Sequence, residues 1–165
     1  MEKDKKPEHF TELRELLLQE ISNIKDFFSD KQIDEFIVRN HDKIMELTDK
    51  GWMPAILTAE LFEEELVDIR RCSSCGELFK NGFVIDGGTY YACSDECLDD
   101  IYQGTYGSKS LEETKKMYLC DYYYIDYNYV RDKIEDMHDM TDVNEYLSSL
   151  PDADEENSQT YYTEF

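Results

Sequence analysis

Four of the five cysteines form two closely spaced pairs, and they are the residues with the clearest chemical potential in the chain. The first pair is Cys72 and Cys75, which Gly76 follows, and the second pair is Cys93 and Cys97. Four thiolates can surround one ion as a tetrahedron, with zinc–sulfur distances of about 2.3 Å. In a reducing compartment this pattern favours metal binding, and two reducible disulfides are the alternative.

The segment between the two pairs predicts elements that can position the cysteines. Asn81-Gly82 and Asp86-Gly87-Gly88 are turn signals, so the segment predicts strand, turn and strand. Ser94 is a good N-cap, and residues four apart share a helix face, so Cys93 and Cys97 can reach one ion. Because four thiolates leave zinc no open position for water, we expect a structural Zn²⁺ rather than a catalytic one.

The central segment resembles the small four-cysteine fingers of the treble-clef type. Their second pair follows the pattern Phe/Tyr-x-Cys-Ser-x-x-Cys, and Tyr91-Ala92-Cys93-Ser94 matches its start. Cys97 comes one residue later than this pattern requires. The resemblance implies metal binding and says nothing about what the protein does.

Helical signals occupy the chain before the finger. Residues 1–69 predict three helices, with Ser29 opening a capping box, Gly51 as a stop and Pro54 as the first residue of the third helix. We expect Trp52 to plug the core at the last junction. The apolar residues that recur at helical spacing are Phe10, Leu13, Leu17, Ile21, Ile24, Phe28, Ile33, Phe36, Ile37, Ile44, Leu47, Leu57, Leu61 and Ile69.

The sequence therefore predicts a mainly α, α+β protein in four parts. These are an N-terminal helical region at 1–69, the four-cysteine finger with its β-hairpin at 70–103, an acidic tyrosine-rich helical region at 104–150, and an acidic tail at 151–165. The tail is expected to be flexible up to Thr160. Its end, Tyr161-Tyr162-Thr163-Glu164-Phe165, is too aromatic for a solvated linker, so we expect it to dock on this protein or on a partner.

The charge of the chain excludes several kinds of binding. The 165 residues hold 39 acidic and 17 basic side chains, giving a net charge of −22. Such a surface repels phosphate, so a broad basic face for nucleic acid or anionic lipid is not expected. The apolar content of 41% is too high for a purely disordered acidic chain.

The negative charge is concentrated beside the tyrosines. Residues 98–165 hold seventeen acidic residues, five basic residues and eleven of the thirteen tyrosines. Exposed tyrosines among carboxylates suit a protein partner with a basic surface, and a solvated helical face is the alternative. On a single helix we expect Tyr118, Tyr122 and Tyr129 to pack inward. The predicted partner-binding residues are Asp121, Tyr123, Tyr124, Asp126, Tyr127, Glu135, Asp136 and Asp139.

No residue pattern predicts an enzyme. His9, His41 and His138 are scattered, and the chain has neither a phosphate-binding glycine loop nor a nucleophile elbow. Cys120 is predicted to be a small core residue. Because no apolar stretch approaches the length of a membrane span and Met1–Lys6 carries no secretory signal, we expect a soluble protein of the cytoplasm.

The whole chain resembles small acidic proteins carried by phages and mobile elements of low-GC Gram-positive bacteria. The features are Gly51-Trp52-Met53-Pro54-Ala55-Ile56-Leu57 after an acidic helix, the four-cysteine finger and the aromatic C-terminus. Some small acidic proteins of this kind are anti-CRISPR inhibitors of Cas9. The resemblance implies a stoichiometric inhibitor that binds Cas9 or its guide RNA complex in the host cytoplasm and blocks loading of target DNA.

Three other functions are open at this point. The first is an acidic zinc-finger adaptor for a host transcription or replication protein. The second is direct DNA binding through the finger, for which Arg70, Arg71 and Lys80 are the local cations. The third is an unrecognised hydrolase.

Overall fold

The computed structural model of the protein describes residues 6–165. The expectation that the first residues carry no secretory signal therefore concerns residues that lie almost wholly outside the described part. Within residues 6–165, seven helices and five short strands make a mainly α, α+β fold, as the sequence predicts. No helix within residues 6–165 combines the length and the apolar character needed to cross a membrane.

The helices and strands follow one another in a simple order. The helices are α1 (Phe10–Glu20), α2 (Asp30–Asp49), α3 (Pro54–Glu64), α4 (Asp95–Tyr106), α5 (Leu111–Tyr122), α6 (Tyr127–Ile134) and α7 (Met140–Ser148). The strands are β1 (Arg70–Arg71), β2 (Leu78–Phe79), β3 (Asn81–Ile85), β4 (Tyr90–Ala92) and β5 (Tyr161–Glu164). Short 3₁₀ turns lie at Ile24–Asp26 and Asp86–Gly88.

The first of two compact units comprises the described residues up to Arg71 together with Gly76–Leu78. Helices α1, α2 and α3 bury the apolar face that the spacing predicts, from Phe10 to Leu61. The predicted capping box is present, since Ser29 Oγ accepts from the backbone N–H of Gln32 and the Gln32 side chain accepts from that of Ser29. These local signals and the apolar face select the same helices.

Trp52 does not plug the core, so that prediction is wrong. It is 54% exposed, and Met53 and Ile56 are exposed as well. The core is already filled by Phe62, whose ring packs edge-on against Phe36 with a centroid separation of 5.1 Å. Trp52 instead lies in the short connection between α2 and α3 and faces solvent.

The second compact unit comprises Cys72–Cys75 and Phe79–Phe165. Strands β4, β3 and β5 form an antiparallel sheet in that order. One core joins this sheet to α4 and α5, with Tyr102 and Ile85 fully buried. A second core joins α5, α6 and α7 around Ile134 and Leu147.

The hairpin differs from its prediction at one of the two turn signals. Asp86-Gly87-Gly88 forms the turn, whereas Asn81-Gly82 lies inside β3. Gly82 is needed for close approach, because a Cβ there would lie 2.5 Å from the Ala92 carbonyl oxygen and 2.5 Å from the Phe79 ring. The Asn-Gly dipeptide therefore does not form a turn here, and its glycine instead lets the backbone of β3 lie close to Ala92 and to the Phe79 ring.

The acidic C-terminal segment is tied to the second unit instead of forming a flexible tail. The backbone N–H of Asp154 donates to the Tyr123 carbonyl oxygen at 2.9 Å, and that of Gly87 donates to the Gln159 carbonyl oxygen at 2.7 Å. Beyond Thr160, which is buried, the aromatic end forms β5 and pairs with β3. The expected docking of this end therefore occurs on the protein itself.

The tyrosine-rich region is two helices and not one. Helix α5 ends at Tyr122, Tyr124 adopts a left-handed conformation with φ of 57°, and Asp126 caps α6. The break rotates the later residues relative to the earlier ones. Tyr129, predicted to pack inward, is consequently 84% exposed, and that prediction is wrong.

Candidate functional site

The four paired cysteines converge in the second unit. The Sγ atoms of Cys72, Cys75, Cys93 and Cys97 all lie within 4.8 Å of one another, and no disulfide joins any of the four. The Cys75–Cys93 and Cys93–Cys97 sulfur distances are both 3.7 Å. A tetrahedron with metal–sulfur bonds of about 2.3 Å has edges of about 3.8 Å, so the cluster has the dimensions of a four-thiolate metal site.

The first two cysteines lie on a knuckle that is braced by the hairpin. The backbone N–H of Ser73 donates to the Tyr91 carbonyl oxygen at 2.8 Å, and the N–H of Tyr91 donates to Ser73 Oγ at 3.0 Å. Ser74 Oγ donates to Asp100 on α4 at 2.7 Å. These contacts fix the knuckle against both elements that carry the other pair.

The second two cysteines flank the start of α4, as predicted. Cys93 directly follows β4, and Cys97 lies in the first turn of the helix. Ser94 caps this turn by accepting a hydrogen bond from the Cys97 backbone N–H at 3.2 Å. The positive end of the helix dipole favours a thiolate at this position. Knuckle, hairpin and helix thus follow the order that the treble-clef resemblance implies.

The pKa values of two of the thiols are shifted in opposite directions within the cluster. Burial opposes ionisation of Cys72, but backbone N–H groups of Cys75, Cys93 and Ser74 together lower its pKa. Burial and the neighbouring sulfurs raise the pKa of Cys93. Because thiolates in one cluster repel one another, a bound cation would relieve the cost of ionising all four.

Cys120, the fifth cysteine, stands apart from this cluster. It is fully buried in the core of α5, α6 and α7, as predicted. Burial raises the pKa of its thiol to about 12, with the carboxylates of Asp121 and Asp126 adding to the effect. Cys120 is therefore a packing residue.

Seven of the eight predicted partner-binding residues divide among three environments. Asp121, Tyr124 and Asp126 line an open cleft of about 450 Å³. Asp121 and Asp126 also line a neighbouring cleft of about 340 Å³, together with Tyr127. The exposed acids Glu135, Asp136 and Asp139 lie between α6 and α7.

Tyr123, the eighth residue of the predicted partner-binding set, is buried. It is only 7% exposed, and its hydroxyl donates to Asn144 Oδ1 at 2.7 Å. The left-handed turn at Tyr124 directs Tyr123 into the core of α5, α6 and α7 while Tyr124 itself is 64% exposed. Tyr123 is therefore a core residue in this structure and not part of the exposed surface.

Sequence reasoning missed the residues that complete the larger cleft. Asp86 and Tyr106 line it together with Gln159 and Thr160. Asp86 was recognisable only as part of a turn signal, and the other three carry no local signal for a site. Gln159 and Thr160 reach the cleft because the C-terminal segment is hydrogen-bonded to the hairpin turn at Asp86 and Gly87.

Asp121 is a carboxylate of the cleft whose pKa is shifted by its surroundings. Its Oδ2 accepts a hydrogen bond from the buried Tyr102 hydroxyl at 2.6 Å. Burial, together with Asp86 and Asp126, raises its pKa, while the hydroxyl of Tyr102 acts in the opposite direction. Ionised Asp121 consequently costs folding free energy above its raised folded-state pKa, and this cost disappears as pH falls through that value.

We expect Asp121→Asn to be more stable than the wild type at neutral pH. The amide oxygen can still accept from Tyr102, and no buried charge remains. The advantage should shrink as pH falls through the raised pKa of Asp121, and urea unfolding of both proteins from neutral to mildly acidic pH measures it. Asp136→Asn removes an exposed charge and serves as the control. A wild type that is the more stable protein across the whole range would contradict the assignment.

The sequence matches no protein-family profile, and no curated protein or solved structure is significantly similar to it. The described residues of the second unit offer two candidate sites, a four-cysteine cluster suited to a metal ion and an acidic surface with two clefts.

Proposed function

We propose that this protein is a non-catalytic, stoichiometric inhibitor of the anti-CRISPR class, which binds Cas9 in the bacterial cytoplasm and blocks loading of target DNA. One observation carries the proposal: most side-chain carboxylates of its second unit are exposed and make no ion pair with another described residue. Within the described part of residues 98–165, the side-chain carboxylates form ion pairs only at Glu112, with Lys116 and His138.

The first unit shows the contrast. Arg14 pairs with Asp34 at 2.7 Å, and Arg39 pairs with Glu65 at 2.6 Å. Arg71 lies between Glu20 and Glu63 at 3.6 Å from each. Acids of the first unit are thus paired with arginines at several positions, whereas of the described residues 98–165 only Glu112 has a paired carboxylate. This difference supports the second unit as the surface for a basic partner.

Zinc is the metal that the donor set favours. Thiolates are soft ligands, whereas calcium and magnesium prefer oxygen, and a closed four-sulfur tetrahedron is typical of structural zinc. With all four positions occupied by sulfur, such an ion has no site for an activated water. We therefore propose that zinc holds the knuckle, hairpin and α4 together and takes no part in chemistry.

Cas9 offers a surface of the required sign. Its guide–target heteroduplex lies in a positively charged channel, and arginines read the adjacent motif. A folded acidic protein can occupy such a surface in place of DNA, because carboxylates meet the same arginines and lysines as phosphates. The same charge disfavours direct binding of nucleic acid by this chain.

An adaptor for a host transcription or replication protein is the second candidate. Its specific support is the exposed apolar group Trp52, Met53 and Ile56, which lines a shallow cleft of about 350 Å³. Exposed tryptophan is enriched where folded proteins meet, and its use does not depend on a basic channel. This surface is therefore compatible with a partner other than a nucleic-acid enzyme.

An order-of-addition cleavage assay tests the proposal. Purified protein is added to Cas9 and guide RNA either before or after target DNA, at ratios from substoichiometric to excess. We expect inhibition to saturate near one inhibitor per Cas9 and to be much stronger when the protein is added first. If the protein neither inhibits Cas9 nor co-elutes with it, the proposal fails for that Cas9. Co-elution with a polymerase subunit would favour the adaptor.

A further inference from the structure

The larger cleft of the second unit is lined by acidic and aromatic side chains. Asp86, Asp121 and Asp126 contribute carboxylates, and the partly exposed Tyr106 and Tyr124 contribute rings. No lysine or arginine of the described chain lines it. Its volume of about 450 Å³ is large enough for a side chain or small ligand to enter.

Each of the three carboxylates is held through one oxygen. Asp121 Oδ2 accepts from the Tyr102 hydroxyl, and Asp126 Oδ1 accepts from a backbone N–H of α6 at 3.0 Å. Asp86 Oδ2 accepts from the Thr89 hydroxyl at 3.4 Å. Among the described residues, the second oxygen of each carboxylate makes no hydrogen bond, so three acceptors are fixed in place and available.

The C-terminal segment holds the hairpin turn that carries Asp86 in position. The backbone N–H of Asp86 donates to the hydroxyl of buried Thr160 at 3.0 Å, and that of Gly87 donates to the Gln159 carbonyl oxygen at 2.7 Å. The cleft is thus formed before any ligand enters, and less ordering is required on binding.

A single metal ion does not match this arrangement. Within residues 6–165, only the four cysteines bring three or more metal-binding atoms within 4.8 Å of one another. The carboxylates therefore surround a space and do not share one point. A larger, delocalised cation with several N–H donors fits such a space.

Building on the proposed function, we infer that the cleft receives an arginine side chain of the partner protein. A guanidinium presents five N–H donors in one plane, so it can reach more than one of the three carboxylates. Its flat face can also lie against the tyrosine rings, Tyr106 and Tyr124, which a compact lysine ammonium does less well. The cleft should therefore bind arginine in preference to lysine, whereas the rest of the acidic surface attracts either cation.

A peptide titration tests the cleft without any partner. The probe is N-acetyl-Gly-Arg-Gly-amide added to the ¹⁵N-labelled, metal-loaded protein, with the neutral citrulline peptide and the lysine peptide as comparisons. We expect saturable shifts at the amides of Tyr124, Gln159 and Thr160 with arginine, weaker ones with lysine and none with citrulline. Shifts spread evenly over the acidic surface, or equal for arginine and lysine, would overturn the inference.

The variant Asp86→Asn/Asp126→Asn removes two charges while keeping the backbone. Asparagine tolerates the left-handed conformation of Asp86, whose φ is 51°, and it caps a helix as well as Asp126 does. The control Asp152→Asn/Glu156→Gln removes the same charge from exposed positions outside the cleft. We expect the cleft variant to bind the arginine peptide at least about tenfold more weakly and the control to bind it as the wild type does.

Binding to Cas9 separates this inference from the proposed function. If the cleft variant binds Cas9 as tightly as the control does, the cleft assignment is wrong and the proposed function stands. If the arginine peptide binds in the cleft but Cas9 is not bound, the proposed function is wrong and the cleft assignment stands. A parallel loss of peptide binding and Cas9 binding in the cleft variant alone supports both.

Discussion

Cys75→Ser is expected to lose the bound metal and to unfold the second unit around the knuckle. A serine hydroxyl is a poor substitute for a thiolate, and the other three sulfurs, which lie within 4.8 Å of one another, would then repel without a full complement of ligands. Structural zinc sites contribute roughly 10 kcal/mol or more to folding. Whole domains are stable by only about 5–15 kcal/mol, so the loss is comparable to the total.

Two measurements made on the same samples check this expectation. Metal content by mass spectrometry should fall from about one ion per chain to well below that, since four thiolates make one site. Thermal unfolding should show loss of the cooperative transition of the second unit, and a chelator should reproduce this loss in the wild type.

Cys120→Ala is the matched control for the cysteine variant. Cys120 is buried and makes no contact with the cluster that the four ligands form, so its replacement should leave the metal content unchanged. A Cys75→Ser protein with the metal content and melting curve of this control would show that the cluster is not a metal site. Loss of metal from both variants would show that general destabilisation, and not ligand removal, releases the ion.

The four-cysteine cluster and the first three helices could be predicted because their signals are local. Cys72-x-x-Cys75 and the serine cap before Cys97 each specify a short-range geometry. Ser29 and Pro54 mark helix starts through backbone groups within one turn. Such signals survive in any tertiary context that does not oppose them.

The errors arise where distant parts of the chain decide the outcome. Gly82 carries a turn signal, yet the nearby Phe79 ring and Ala92 carbonyl require it in a strand. Tyr129 follows the helical spacing of Tyr122, but the left-handed residue Tyr124 interrupts the helix between them. Asp86 belongs to the larger cleft only because the C-terminal segment lies against its turn, and no local pattern reports a contact of that separation.

Deleting residues 161–165 is expected to destabilise the second unit by several kilocalories per mole. The deletion removes all of β5, which pairs with β3 from Asn81 to Val84, and turns β3 into an exposed edge. It also removes Tyr162 and Phe165, whose rings pack edge-on against Phe83, Phe79 and Tyr91 with centroid separations of 5.0, 5.6 and 5.9 Å. Each such ring pair contributes about 0.5–1.5 kcal/mol beyond its buried area.

The same deletion should make the metal easier to remove. Tyr91 contacts Phe165 through its ring and is bonded through its backbone to Ser73 in the knuckle. Loss of the C-terminal ring therefore loosens the strand that braces the first cysteine pair. We expect chelator-induced unfolding of the truncated protein at a lower chelator concentration than in the wild type, followed by near-ultraviolet circular dichroism.

The variants Phe165→Ala and Glu164→Ala distinguish the contribution of the Phe165 ring from that of the pairing of β5. Both shorten a side chain within the last two residues, but the Phe165 ring packs edge-on against Phe79 and Tyr91 whereas the Glu164 side chain is exposed. Phe165→Ala should lower the unfolding midpoint and the chelator resistance together, and Glu164→Ala should change neither by more than about 0.5 kcal/mol. If both variants behave as the wild type does, the aromatic end is not part of the support of the metal site. The stability of the knuckle would then rest on the hairpin and α4 alone.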